Sequence, residues 1–204
     1  MTQNESTIAL TLPDGSTQDV VRGTTPLEVA AGIGERLARD TVGAVLGGEL
    51  VDIRLPMQEG GSFRLITSRD PEAGVFIRHS AEHVMADAVQ RLWPGTEIDA
   101  GRKDHSEKYQ YDFRFPRTFT AEDLEKIEAK MLEILAEKHS FERIEVSRAE
   151  AEKMFRDMGE NLKVERLADI PEGETITVYK DGEFLDLCRG PHVQNLSQIG
   201  AVKL

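Results

Sequence analysis

The sequence is poor in the residues that stabilise secreted or membrane-spanning proteins. It has a single cysteine, Cys188, so an internal disulfide is excluded and this residue is left as a core residue, a nucleophile or a metal ligand. Its apolar stretches are short and interrupted by charge, and residues 1–10 lack the basic flank and apolar run of a secretory signal. No membrane partner is therefore predicted, and the cytoplasm is the expected location.

Basic residues are also in deficit. The chain has 25 Lys+Arg against 37 Asp+Glu, which gives a formal net charge of -12, and the deficit is spread along the sequence. This balance argues against a protein that binds nucleic acid by bulk electrostatic attraction alone. An RNA partner would have to be held by small clusters, such as Arg102-Lys103 and the segment from Arg114 to Arg117.

The first third of the chain has the pattern of a small β-rich domain. Residues 8–12 alternate in polarity and are followed by a turn sequence at residues 13–16, which together predict a hairpin. Thr25 and Pro26 form a helix start, and Gly34 ends the helical pattern. Further short strand-like segments follow. A hairpin, one helix and short strands predict a β-grasp domain, in which the helix packs on a mixed sheet.

The polar, turn-forming stretch from residue 67 to residue 74 predicts a domain boundary, giving domains 1–67 and 75–204. The second domain has helical periodicity from Val75 to Trp93 and capped helix starts at Thr120 and Ser147. A strand pattern and a final hairpin around residues 180–182 complete it. The whole chain is therefore predicted to be α+β.

Two motifs carry residue types that do chemistry. His79-Ser-Ala-Glu-His83 sets two imidazoles one helical turn apart, on the face turned away from the apolar stripe. Cys188-Arg-Gly-Pro-His192 follows the predicted hairpin. Taken singly, the motifs have a structural interpretation, as exposed histidines, a small buried thiol and a loop residue. Together they supply four groups of the types that bind zinc, in a chain with only five histidines.

These motifs resemble the second amino-terminal domain of bacterial-type threonyl-tRNA synthetases, an editing module shared with alanyl-tRNA synthetases and their free-standing relatives. The preceding segment resembles the TGS domain of that family, a ubiquitin-like β-grasp fold, through Leu12-Pro-Asp-Gly-Ser16 and Gly48-Glu-Leu-Val-Asp52. The resemblance covers nearly the whole chain, and its other motifs are Arg91-Leu-Trp-Pro94, Tyr111-Asp112, Gly159-Glu160-Asn-Leu-Lys163-Val and Lys203-Leu204.

The resemblance implies hydrolysis of the ester of serine mischarged on threonine tRNA, without aminoacylation activity in this chain. A missing methyl group gives a binding pocket only ~1–3 kcal/mol of discrimination, so a second, smaller pocket is needed to remove serine. By the same resemblance, Lys163 and a histidine position or activate the water, and Asp186 and His192 bind the amino and hydroxyl groups. The implied catalytic residues are His79, His83, Lys163 and His192, and the implied substrate-binding residues are Asp186, Cys188 and Tyr111.

The resemblance also bears on cofactors and partners. His79, His83, Cys188 and His192 form a candidate zinc set, because alanyl-type relatives hold zinc with such residues, but the threonyl branch edits without it, so no cofactor is expected to be required. The implied partners are serine-mischarged threonine tRNA and, if the chain is part of a synthetase, the catalytic and anticodon-binding domains. Three other interpretations stay open: a free-standing trans-editing protein, a non-catalytic RNA-binding or regulatory module, and a zinc-dependent hydrolase.

Two features depart from the family pattern. The segment from Gly101 to Asp112 is longer and more polar than its counterpart, which predicts a remodelled strand edge. Glu82 stands where alanine is usual, and its negative charge next to His83 is expected to raise the pKa of that histidine.

Overall fold

The computed structural model describes residues 6–204, so the first five residues of the predicted domain 1–67 lie outside the described part. The chain divides into two compact units. One comprises the residues up to Ile77 together with Pro191–Gln194, and the other comprises Arg78–Gly190 and Asn195–Leu204. None of the helices described has the length and hydropathy that a membrane span requires.

The first unit is the predicted β-grasp arrangement. Its strands form one sheet in the order β2-β1-β5-β3-β4, in which β1 and β5 run parallel and the other neighbours run antiparallel. Ile8, Leu10 and Phe63 from the sheet pack with Val29 of the helix in its core. The elements are β1 (Thr7–Thr11), β2 (Thr17–Val21), α1 (Pro26–Ile33), α2 (Glu35–Asp40), β3 (Thr41–Leu46), β4 (Glu49–Val51) and β5 (Gly61–Thr67).

The helix boundaries of this unit follow from local chemistry. Thr25 and Glu28 form a reciprocal capping box at the start of α1, and Pro26 occupies its first turn, as the sequence predicts. The second helix, α2, is not predicted. It has no buried residue, so it carries no apolar periodicity from which a sequence pattern could identify it.

The second unit is α+β, as predicted. It contains a three-stranded antiparallel sheet, β10-β9-β8, and a two-stranded sheet, β6-β7. Helices α5 and α6 pack on the larger sheet through Phe155 and Leu167. The elements are α3 (Ala73–Leu92, which begins in the first unit), β6 (Glu97–Gly101), β7 (Tyr111–Arg114), α4 (Ala121–Glu137), β8 (Phe141–Val146), α5 (Arg148–Met158), α6 (Asn161–Ala168), β9 (Ile176–Asp181), β10 (Phe184–Leu187) and a 3-10 turn (Leu196–Gln198).

Helix α3 differs from an ordinary surface helix. Every residue from 79 to 89 is buried, including those on the polar face that carries His79 and His83. The interpretation of these histidines as exposed is therefore wrong. Periodicity gave their direction relative to the apolar stripe, but it could not show that other elements also cover the polar side of the helix.

Candidate functional site

A buried ion pair with a phenol lies at the centre of the candidate site. Lys163 Nζ of α6 is 2.7 Å from Asp186 Oδ1 of β10 and 2.6 Å from the Tyr111 hydroxyl of β7. The Tyr111 hydroxyl in turn donates a hydrogen bond to Asp186 Oδ2. Burial, and then the charge of Asp186, raises the pKa of Tyr111, so the phenol stays protonated. Three predicted site residues therefore form one closed hydrogen-bonded group.

The placement of Lys163 depends on how α6 begins. Gly159, with φ of 79°, ends α5 in the left-handed conformation that favours glycine, and the chain turns directly into α6. Glu160 then fixes this start, because its carboxylate accepts the Ile98 N–H of β6 at 3.0 Å and a hydrogen bond from the Gln90 side chain of α3. Burial raises the pKa of Glu160.

The two histidines of α3 lie next to this group. His83 Nε2 is 3.6 Å from Asp186 Oδ2. Burial, together with the positive charges of Lys163 and His105, lowers the pKa of His83 to about 3, so its imidazole is neutral at physiological pH. The expectation that Glu82 raises this pKa is therefore wrong, because burial and the two positive charges lower it, and the Glu82 carboxylate accepts the N–H groups of Gln110 and Arg102.

Cys188 completes the arrangement of the second unit. Its Sγ is 3.2 Å from His79 Nε2 and accepts the Gly190 N–H at 3.2 Å. Burial raises the pKa of the Cys188 thiol, so without a bound cation it is protonated and can donate to His79. In this protonated state the thiol is not a nucleophile.

His192 lies in the segment that belongs to the first unit, where it is fully buried. Asp52 Oδ2 accepts its backbone N–H at 2.8 Å. The Arg54 guanidinium is 3.0 Å from Asp52 and donates to the carbonyl oxygens of His192, Val193 and Gln194 at 3.3, 2.6 and 3.0 Å. These hydrogen bonds from Arg54 and to Asp52 explain why residues 191–194 pack with the first unit. The predicted domain 75–204 assigns them to the second domain.

The donor set of the second unit fits a zinc ion. His79, His83 and Cys188 each offer one ligand atom, and these atoms lie within 4.8 Å of one another. Imidazole and thiolate are the ligands that zinc prefers, and the ion would itself deprotonate the thiol. These three residues would hold the metal if it binds.

Sequence reasoning missed two residues that shape the site. Glu160 stands in the motif from Gly159 to Lys163, but its burial against β6 and α3 depends on residues 60 or more positions away along the chain. His105 has no local signal of its own, although its ring stacks on that of His79 with centroids 4.2 Å apart. Its place within the unusual segment of residues 101–112, and the unusual Glu82 that contacts it, are the signals in the sequence that point to it.

Comparisons with known proteins agree with this architecture. Residues 8–67 match the TGS domain, and residues 176–204, which include Asp186 and Cys188, match the threonyl and alanyl tRNA synthetase second additional domain. The chain is 44% identical over 199 residues to the threonine--tRNA ligase of Pelobacter propionicus, covering 98% of this chain and 31% of that protein. It is 45% identical over 193 residues to the same enzyme of Rhodopseudomonas palustris, covering 95% and 29%. The chain thus spans about a third of the length of the curated relatives it matches.

Proposed function

We propose that this chain, which joins a TGS domain to the second additional domain of threonyl and alanyl tRNA synthetases, is the editing region of a threonyl-tRNA synthetase. Its reaction is hydrolysis of the ester bond in serine mischarged on threonine tRNA. The observation that carries the proposal is the buried Lys163–Asp186–Tyr111 group beside a neutral His83. Ester hydrolysis needs a held water and donors for the carbonyl oxygen, and this group has a charged N–H donor and hydrogen-bonding groups that could hold the water.

Lys163 is the proposed electrophilic donor. An ammonium group has three N–H donors, and in this site one points to Asp186 and one to the Tyr111 hydroxyl. The third is left for the reacting carbonyl oxygen or for the attacking water. In a water-poor pocket, a fixed positive charge stabilises the oxyanion that forms when water adds to the ester carbon.

His83 is the proposed water-orienting residue. Its neutral ring can accept a hydrogen bond from water, whereas a pKa of about 3 makes it a weak base. In the balanced reaction, the water oxygen bonds to the ester carbon, the bond from that carbon to the ribose oxygen breaks, and the water proton ends on the ribose hydroxyl.

Asp186 is proposed to bind the amino group of the substrate. A carboxylate has about four acceptor positions, and Asp186 uses three of them, for Lys163, for Tyr111 and for the Leu187 N–H at 2.7 Å. The remaining position suits an ammonium group. Threonine would be rejected by size, because its extra methyl group must displace a wall such as Cys188. The role expected for His192, binding of the substrate hydroxyl, remains part of the proposal.

A zinc ion held by His79, His83 and Cys188 would supply a water of lowered pKa. The roles of Lys163, Asp186 and Tyr111 do not depend on it. We expect tRNA binding to depend mainly on contacts outside the predicted basic cluster around residue 114, because the arginines of that cluster already form ion pairs within the chain. Arg114 pairs with Glu97 at 3.0 Å, and Arg117 pairs with Asp123.

The test is single-turnover deacylation, with the chain in excess over seryl-tRNA or threonyl-tRNA of the threonine isoacceptor. We expect the seryl ester to be hydrolysed at least about 10-fold faster than the threonyl ester, which corresponds to exclusion of one methyl group. Tyr111→Phe keeps the ion pair but removes the hydroxyl that orients Lys163, and it should lower the rate about 10- to 100-fold. Lys163→Ala should abolish the reaction.

The matched control is Lys153→Ala, because Lys153 lies on the exposed face of α5 and its side chain is 76% exposed. This variant should deacylate as the unmodified chain does. Equal rates for the two esters, or a Lys163→Ala rate equal to that of the unmodified chain, would refute the assignment. Circular dichroism of each variant separates loss of activity from loss of fold.

A further inference from the structure

The polar loop of residues 102–110 is fastened to helix α3 at two levels. Arg78 donates hydrogen bonds to the carbonyl oxygens of His105 and, at 2.6 Å, Ser106. One turn further along, the Glu82 carboxylate accepts the N–H groups of Gln110 at 2.9 Å and Arg102 at 3.2 Å. The Arg78 guanidinium thus binds backbone carbonyl groups of the loop, and the Glu82 carboxylate binds its backbone N–H groups. Because both kinds of backbone group are bound to α3, the loop has a fixed position on this helix.

The loop of residues 102–110 places one of its side chains, the imidazole of His105, in the interior of the second unit. His105 is buried, with 6% of its surface exposed, although the residues on either side of it in the sequence are exposed. Its Nε2 is 3.2 Å from Glu82 Oε2. Its ring lies almost parallel to that of His79, with an interplanar angle of 20° and a centroid distance of 4.2 Å.

The same residues could suggest a metal site, because His79, Glu82 and His105 place ligand atoms within 4.8 Å of one another. The ring geometry opposes this. Imidazole nitrogens bind metal in the plane of the ring, at about 2.0–2.1 Å. Two stacked rings 4.2 Å apart therefore cannot direct both lone pairs at one ion. The arrangement is that of a packing pair.

We propose that His105 is a positioning residue for His79, and that Glu82 and the loop of residues 102–110 hold it in that role. The stacked ring fixes the rotation of the His79 imidazole, which keeps Nε2 3.2 Å from the Cys188 thiol. It thereby fixes the ring against the Cys188 thiol, the group that the proposed function uses to exclude the methyl group of threonine. The expected effect of His105 on catalysis rests on the proposed editing function, whereas the claim that His105 orients the His79 ring does not depend on that function.

The consequence is a division of labour between two polar groups. In the proposed reaction Lys163, Asp186 and Tyr111 contact the reacting ester, whereas His105 contacts the His79 ring and Glu82 contacts His105. Loss of the stack should uncover one face of the His79 ring and let it rotate away from the Cys188 thiol, while the His83 ring stays edge-on to it at a centroid distance of 5.4 Å. The rate of seryl-tRNA deacylation and the preference for serine over threonine should then both decrease.

The experiment compares His105→Ala with His105→Phe, which keeps a flat ring for His79 but cannot pair with Glu82. The first readout is single-turnover deacylation of seryl-tRNA and threonyl-tRNA. His105→Ala should lower the seryl rate constant about 10-fold, the range seen for residues that orient a site ligand, with little change in half-saturation. It should also reduce the preference for serine over threonine. His105→Phe should restore most of both properties.

The second readout does not need activity. Cys188 is the only cysteine, so the rate of its alkylation by iodoacetamide at fixed pH reports on this one position. His105→Ala should increase that rate several-fold and His105→Phe should not. Glu107→Ala, an exposed substitution in the same loop, is the matched control for both readouts and should change neither.

Each outcome bears on a different claim. If no form of the chain deacylates seryl-tRNA but the alkylation pattern holds, the proposed function fails and the positioning role stands. If His105→Ala leaves the alkylation rate unchanged, or if His105→Phe is as impaired as His105→Ala in both readouts, the positioning role is refuted. Stoichiometric zinc binding that His105→Ala abolishes would also refute it, because the ring would then be a ligand.

Discussion

Asp181, at the end of β9, is a buried carboxyl group whose charge should destabilise the second unit at neutral pH. Its side chain is 2% exposed, and neither carboxylate oxygen has a hydrogen-bond partner among residues 6–204. Burial, and then the negative charge of Asp87, raises its pKa to about 7, and Arg91 opposes this effect only in part. Glu137 adds to the negative field, and His139 Nδ1 lies 3.9 Å from Asp181 Oδ1.

The sign of the effect follows from proton linkage. A carboxyl group with a raised pKa binds protons more tightly in the folded state, so its contribution to stability falls as pH rises from the unfolded to the folded pKa. The difference between 3.8 for an ordinary aspartate and about 7 here corresponds to about 4 kcal/mol once pH exceeds 7. Near pH 4 the cost is nearly absent.

We therefore expect Asp181→Asn, which keeps the shape but removes the charge, to stabilise the second unit by a few kcal/mol at pH 8 and far less at pH 4. The assay is urea unfolding followed by fluorescence of Trp93, the single tryptophan of the chain, whose ring contacts Phe115 at a centroid distance of 5.3 Å. Asp157→Asn, with a side chain that is 63% exposed, is the control and should show no such gain. A stability difference that does not change between pH 4 and pH 8 would refute the reasoning.

The first unit offers two further predictions, both read by calorimetry. Arg54→Lys should lower its stability by about 1–3 kcal/mol, because an ammonium cannot span the three carbonyl groups that the guanidinium binds, and an unchanged melting temperature would contradict this. Gly43→Ala should lower the free energy of unfolding by about 1–3 kcal/mol, since a Cβ there would collide with the buried Phe76 ring. The control is Gly32→Ala, which lies in open space on α1 and should stabilise the unit slightly. Equal effects of the two substitutions would contradict this prediction.

Local signals in the sequence were sufficient for the elements whose ends are determined by near neighbours. The capped helix starts at Thr120 and Ser147 are observed as predicted, each as a capping box, because each involves residues within one turn. The final hairpin is also observed, with Gly182 at a φ of 59° in its turn. Such features need no knowledge of the rest of the chain.

Burial of polar groups could not be predicted in the same way, because it depends on distant segments. Local pattern does not indicate that Lys163 is buried, since its partners Asp186 and Tyr111 lie 23 and 52 positions away along the chain. The observed helix α6 and its inward-facing lysine follow from those contacts. The same holds for His83, whose position on α3 was predicted correctly while its burial was not.

The composition of the buried polar group is itself an argument for function. Taking Lys163 and Asp186 out of water costs several kcal/mol per ion, and apolar residues of similar volume are often as stabilising or more so. The core of this unit already has apolar residues on both neighbouring helices, so folding does not require a charged centre there. A charged centre with a hydroxyl and a neutral imidazole close to it is what the proposed hydrolysis would use, because that reaction needs a fixed positive charge and little water.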